Sequence, residues 1–209
     1  MELNRESALE RAVALASRGR RAILGITGPP AAGKSTYAEQ LVAELVAQGH
    51  QVALVPMDGY HLAQAALDEL GLAAVKGAPQ TFDGYGFVAL LERLTESADE
   101  TIWAPRFDRS LEDSIAASIP VPPETTLVVT EGNYLLFDGP PWSTGRALLD
   151  ECWYIELDDE LRHERLVARH QLFGRSPEQA HERAFGSDED NALLIAATKP
   201  AADAIVTLS

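Results

Sequence analysis

The run Gly28-Pro29-Pro30-Ala31-Ala32-Gly33-Lys34-Ser35 fits the spacing G-x-x-x-x-G-K-[ST]. At average residue usage this pattern arises by chance in on the order of one chain in a hundred, so its context has to support it. Here it lies between a β-rich run and a helix-like run, as a phosphate cradle requires. Glycines let successive backbone N–H groups turn toward an anion, and the following helix start adds a positive field. Lys34 can reach terminal phosphates, and the Ser35 hydroxyl can ligate Mg²⁺. Gly28 to Ser35, extended by Thr36, is therefore expected to hold a nucleotide. The alternative, a Gly/Pro turn followed by a surface lysine, does not explain the flanking pattern. Two carboxylates sit at matching places downstream. Asp58 follows the strand-like run that ends in Pro56-Met57, and Glu131 follows the apolar run Leu127–Thr130. A carboxylate at the carboxyl end of a strand beside the cradle faces the ligand crevice. Asp58 could accept a proton from a substrate hydroxyl or form the turn that its Gly59 neighbour suggests. Glu131 stands where a Mg²⁺-organising acid belongs, or caps a loop.

A second cluster is cationic. Arg162, Arg165 and Arg169 are three and four residues apart, which puts them on one helix face. Gly174-Arg175-Ser176-Pro177 then breaks the helix. Such a helix and hinge suit closure over phosphates, where guanidinium groups neutralise developing charge and water is excluded. The alternative is a solvated face paired with Glu160 and Glu164. Guanine recognition by N/T-K-x-D fails in Thr198-Lys199-Pro200-Ala201, whose last position is alanine.

These residues need a scaffold. Strand-like runs at Arg21–Thr27, Gln51–Met57, Thr126–Thr130, Glu151–Leu157 and Ala204–Leu208 alternate with helical periodicity at 4–18, Lys34–Gln48, Phe87–Ser97, Leu161–Phe173, 177–185 and 188–198. The alternation implies a mostly parallel sheet covered on both faces. The Pro-rich piece Ile119–Glu124 reads as a loop. Trp103, Trp142 and Trp153 read as core or interface residues, and Cys152 as buried and inert. The 209 residues are 46% apolar and 23% charged, as in one soluble domain. A net charge of −15 repels phosphate backbones and argues against nucleic acid as partner. The longest run without a charged residue, Leu45–Met57, is too short to span a bilayer. The charged N-terminus lacks the apolar stretch of a secretory signal, and the single cysteine excludes an intrachain disulfide. A cytoplasmic chain is expected, with no membrane partner.

PMDGYHL (Pro56–Leu62), KGAPQTFD (Lys76–Asp83), APRFDRSLEDSI (Ala104–Ile115) and VTEGNYLL (Val129–Leu136) follow the cradle in this order. The series resembles the P-loop small-molecule kinases grouped as phosphoribulokinase, uridine kinase and bacterial pantothenate kinase. It looks closest to the nucleoside/nucleotide kinase-like branch, which includes kinases accompanying fructose transporters. The resemblance covers Arg20 to Leu208. It implies a five-stranded parallel sheet in the order 2-3-1-4-5 with a helical lid, in one domain: an N-terminal helix at 4–18, a core at 20–158 and 177–209, and a lid at 159–176. It implies ATP and Mg²⁺, with Asp58 as catalytic base and Ser35, Glu131 and Asp58 around the ion. Lys34, Arg165 and Arg169 would act on the transferring phosphoryl group, and Arg175 and Asn191 would touch nucleotide. Tyr60, His61, Phe82, Asp83, Arg106, Asp108, Arg109 and Asn133 would shape the acceptor pocket. The chain departs from the branch at Leu72-Ala73-Ala74-Val75, where arginines are expected, at Gln80, where glutamate is usual, and at Ala31, where glycine is common. Losing those arginines argues against a phosphorylated acceptor. The reading is a kinase acting on a hydroxyl of a small neutral metabolite, with a fructose-like sugar first and a nucleoside or pantothenate next. The reading of another class is a nucleotide-binding regulatory ATPase. A homodimer is compatible with either.

Overall fold

Six parallel strands, in the order β1-β8-β7-β2-β6-β3, form the centre of the chain. A computed structural model describes residues 1–96 and 99–208. Along the chain these are β1 (Glu2–Leu3), α1 (Arg5–Ala16), β2 (Ala22–Thr27), α2 (Lys34–Ala47) and β3 (Val52–Leu54). A 3₁₀ turn (Met57–Tyr60), α3 (Gln64–Glu69), two further 3₁₀ turns (Ala73–Val75 and Pro79–Thr81) and α4 (Gly84–Thr95) follow. Next come β4 (Ile102–Asp108), β5 (Asp113–Val121), β6 (Leu127–Glu131), α5 (Trp142–Ala147) and β7 (Glu151–Glu156). The chain closes with α6 (Asp159–Leu172), α7 (Pro177–Phe185), α8 (Ser187–Ala196) and β8 (Ala204–Thr207). Ser97, the expected end of the α4 helix, lies outside the described residues.

The strands β3, β6, β2, β7 and β8 occur in the expected order, but the sheet has six strands, not five. The sixth is β1, whose Glu2 and Leu3 pair with Ile205 and Val206. Leu3 is buried, and the Ile205 N–H donates to the Met1 carbonyl at 2.7 Å. A two-residue strand has no periodicity to read.

All six residues of β2 are buried, as a central parallel strand demands. Ile23 belongs to a core shared with α4, α5 and Tyr154, while Leu24 and Ile26 belong to another shared with α1 and α2. Trp142, Trp153 and Cys152 are buried; Trp103 is half exposed.

The second correction concerns Ile119–Glu124. Ile119, Pro120 and Val121 are in β5 and pair with Ala104, Trp103 and Ile102 of β4. This antiparallel hairpin is a separate two-stranded sheet. Both strands have a free edge, so Pro105 and Pro120 break no ladder. The hairpin presses on the Met57–Tyr60 turn: a Cβ on Gly59 would lie 2.5 Å from the Pro105 carbonyl oxygen. No described helix is long and apolar enough to cross a membrane.

Candidate active site

The cradle follows β2 and opens α2. Gly28 and Gly33 have φ of 151° and 94°, and Ala31 is in the left-handed region at 64°. A Cβ on Gly28 would come within 2.8 Å of the Ile155 carbonyl oxygen. These positions keep the loop backbone turned toward the cavity, and Ala31 holds an angle that glycine adopts without cost. Lys34 is buried and its Nζ donates to the Pro29 carbonyl at 3.1 Å. Burial lowers its pKa to about 8, against the opposing pull of Glu131 and Asp58.

Glu131 ends β6 and is 4% exposed. The Ser35 hydroxyl donates to its Oε1 at 3.0 Å. Burial, and then the charge of Asp58, push its pKa up to about 7, while Lys34, Ser35 and Arg109 pull the other way. Asp58 sits in the Met57–Tyr60 turn, with Arg109 Nη2 3.5 Å from one carboxylate oxygen and His61 Nε2 4.0 Å from the other. The His61 ring stacks on Phe82 at 4.0 Å and meets Phe107 at 4.9 Å. Its burial disfavours the charged form and lowers its pKa.

A cavity of about 1000 Å³ joins these groups. Of the expected nucleotide residues, Pro30, Ala31, Gly33, Lys34, Ser35, Thr36, Arg175 and Asn191 line it, whereas Gly28, Pro29 and Ala32 do not. Arg165 and Arg169 line it from α6. Arg169 is desolvated, which lowers its pKa, and it feels Arg109, Asp188 and Asp58. Arg162 goes elsewhere. It is 1% exposed, its Nε donates to Asp159 at 2.9 Å and its Nη2 to Glu189 at 2.5 Å, so it ties α6 to α8.

On the acceptor side, Asp58, His61, Phe82, Arg109 and Asn133 line the cavity; Tyr60, Asp83, Arg106 and Asp108 do not. Tyr60 packs edge-on against Phe87 at 5.5 Å. Asp83 caps α4 by accepting from Gly86 N–H at 2.8 Å. Asp108 accepts from Ser110 N–H, Ser110 hydroxyl and Leu111 N–H, forming the hairpin turn. Arg106 is exposed on β4.

The sequence reading missed Lys76, Arg183, Gln64, Glu112 and Asp188, all of which line the cavity. Lys76 opens the KGAPQTFD motif and Arg183 lies eight residues beyond Arg175, but neither position shows by itself that it lines the same cavity as Asp58. Their place on the cavity wall depends on the Ala73–Val75 turn and on α7.

Among the described residues no three His, Cys, Asp or Glu side chains converge into a self-sufficient ion site. The donor set of Ser35 hydroxyl, Glu131 and Asp58 nonetheless fits Mg²⁺, which takes one or two carboxylates and completes its shell with water and phosphate oxygens. A buried carboxyl with one hydroxyl partner is the group that a cation would compensate.

A family model described as methylmalonyl Co-A mutase-associated GTPase MeaB matches residues 3–63, the stretch from β1 through the Asp58 turn. That match stops short of the hairpin, β6 and helices α6 to α8. An Aspergillus versicolor protein named ATP-dependent kinase-like protein notR' is 39% identical over 131 residues, covering 59% of this chain and 76% of that protein. A candidate uridine kinase of Schizosaccharomyces pombe is 31% identical over 199 residues, covering 88% of this chain and 82% of that one. The crystal structure of a candidate fructose transport system kinase from Silicibacter sp. TM1040 is 38% identical with a TM-score of 0.86, covering 97% of this chain and 98% of that one.

Proposed function

The chain belongs to the uridine kinase-like P-loop kinases, and from that premise we propose that it transfers the γ-phosphoryl group of ATP to a hydroxyl of a small metabolite. A fructose-like sugar is the first acceptor to test, on the name of the Silicibacter relative, with a nucleoside or pantothenate next. One observation carries the reading: Asp58 shares one cavity with Lys34, Ser35 and Glu131, on the side walled by His61, Phe82 and Arg109. A nucleotide switch that only hydrolyses ATP has no need of a carboxylate facing a second, aromatic-walled compartment.

In this reading the cradle backbone and Lys34 hold the β- and γ-phosphates. Bound at Ser35, Glu131 and Asp58, Mg²⁺ would supply charge neutralisation. Asp58 accepts the acceptor's hydroxyl proton as the acceptor oxygen bonds to the γ-phosphorus and the bond to ADP breaks. Lys34, Arg165 and Arg169 offset the charge on the transferring group. Helix α6, with the loop that follows it to Ser176, acts as the lid and excludes water. The reading places the chain in the cytoplasm with a small molecule as its partner.

ADP release is measured with Mg²⁺ and ATP, alone and with sugars, nucleosides or pantothenate. Stimulation by one acceptor, with stoichiometric phosphorylated product, supports the kinase. Hydrolysis at the same rate whatever is added supports the regulatory ATPase instead.

A further inference from the structure

For Asp58 to take the acceptor's proton, the γ-phosphate has to lie between Lys34 and Asp58. The nucleoside then extends from the other end of the cradle, away from His61, Phe82 and Arg109. The cavity wall includes five residues that no motif marks: Arg5 from α1, Tyr37 and Gln40 from α2, Phe173 at the end of α6 and Leu208 beyond β8. Gln40 is one helical turn past Thr36 and shares its face of α2. Leu208 abuts the cradle, since a Cβ on Gly33 would lie 3.4 Å from its Cδ1.

Polar groups at this end have bonding capacity to spare. Arg5 Nη2 donates to Glu44 Oε1 at 2.6 Å, which leaves its Nε and Nη1 without a partner among the described residues. The two side chains are 61% and 37% exposed, so water screens the pair and the guanidinium can turn. Tyr37 is 4% exposed, and its buried hydroxyl has no partner among the described residues. Burial pushes its pKa up to about 12, and Arg5 and then Glu44 are the charges that reach it. The phenol therefore stays neutral and can both donate and accept. Gln40 is exposed, and its amide carries an acceptor and donors. Phe173 and Leu208 add apolar surface of the kind on which a flat ring packs. Apolar groups for the faces of a ring, with a guanidinium and an amide for its edge, are what a nucleobase requires.

We propose that α1 completes the nucleotide site and that the site selects a purine, with Arg5 donating to N7 and Gln40 meeting the substituent at position 6. N7 is an acceptor in adenine and guanine alike, and pyrimidines lack it. The Gln40 amide, turned one way, accepts from the adenine amino group; turned the other way, it donates to the guanine keto oxygen. Tyr37 forms the floor beneath Arg5. The inference rests on the kinase reading for the direction in which the nucleotide lies, and it adds which bases the site takes and which helix reads them.

Calorimetric titration in the presence of Mg²⁺ tests this without an acceptor, and inorganic tripolyphosphate reports the cradle alone. The protein is expected to bind ATP and GTP within tenfold of each other. It should bind 7-deaza-ATP, which has carbon in place of N7, at least tenfold more weakly than ATP, and CTP and UTP no better than 7-deaza-ATP. Arg5→Ala should weaken ATP at least tenfold while leaving 7-deaza-ATP and tripolyphosphate within about twofold. Glu44→Gln breaks the same ion pair but keeps the guanidinium, and should hold ATP within about threefold. Three results overturn the inference and leave the kinase standing: ATP affinity indifferent to Arg5→Ala, 7-deaza-ATP or CTP bound as tightly as ATP, or equal losses in Arg5→Ala and Glu44→Gln. Parallel loss of tripolyphosphate in Arg5→Ala overturns it as well, because the effect is then on fold or charge and not on the base. If the unaltered protein binds neither ATP nor tripolyphosphate, the cradle itself fails and the inference falls with it.

Discussion

Asp58 and Glu131 are two carboxyls of one cavity with different tasks, and the surroundings of each decide the task. Asp58 is partly open toward the acceptor compartment, with Arg109 and His61 beside it. Asp58→Asn keeps size and polarity but cannot accept a proton. The maximal rate should fall about 10²–10⁴-fold, the usual contribution of a positioned base, with a smaller change in KM for ATP; steady-state kinetics check this, and a rate within about threefold of wild type removes the role. Glu131 has a folded pKa of about 7, above its ordinary value of 4.5. A cation binds the ionised form, so below pH 7 Mg²⁺–nucleotide binding has to expel a proton, and affinity should fall toward tenfold per pH unit. Calorimetry in two buffers of different ionisation enthalpy reads the released proton directly; constant affinity from pH 5.5 to 8 takes Glu131 out of the cation site. Stability runs in the opposite sense. A raised pKa means that the folded state holds the proton more tightly, so this contribution is full below pH 4.5 and is lost as pH rises through 7. Lys34, Ser35, Asp58 and Glu131 were legible in the sequence because motif spacing or the end of an apolar run marks them. Lys76 and Arg183 were not, because the cavity they share with Asp58 is assembled from chain segments far apart in sequence.

At the scale of elements, α6 shows how much a helical period can say. Its spacing puts Arg162, Arg165 and Arg169 on one face. Arg162, though, is seven residues from Arg169, about 10 Å along the axis, and there it meets Asp159 and Glu189 instead of the cavity. Arg169→Ala should therefore lower the maximal rate tenfold or more, about 1.4 kcal/mol in barrier, with a smaller effect on ATP binding to the open form; an unchanged rate in the Arg165, Arg169 double substitution leaves a merely solvated helix. The β4–β5 hairpin escaped the sequence reading for a different reason. Prolines interrupt both strands; Ile102, Trp103 and Ala104 alternate between buried and exposed, but the alternation stops at Pro105, and in β5 only Val121 is buried. Its function is nonetheless tight, because Gly59 packs against the Pro105 backbone. Gly59→Ala should push the Asp58 turn off the hairpin and cost about 1–3 kcal/mol, the usual range for overpacking, together with tenfold or more in kcat; chemical denaturation and kinetics test the two effects together, and an unchanged kcat would mean that the turn tolerates the shift.

At the scale of the whole molecule, five of the six strands and their order follow from alternating apolar runs and the family resemblance, while β1 needs the folded sheet to exist before it has a partner. The charge distribution emerges only at this scale. Eight basic and four acidic side chains line the cavity of a chain whose net charge is −15, so the surface outside is more acidic than the total suggests. A nucleotide diffusing in from bulk meets a long-range field that repels it and a short-range field that captures it. Their reach differs: the Debye length shrinks from about 30 Å at 10 mM salt to about 8 Å at 150 mM. Added salt mutes the distant acids before it reaches the desolvated cations inside. Electrostatic steering thus works against this protein in dilute buffer, and kcat/KM for ATP at fixed free Mg²⁺ should rise as salt increases over that range; a steady fall would show that the cavity's own field governs the encounter.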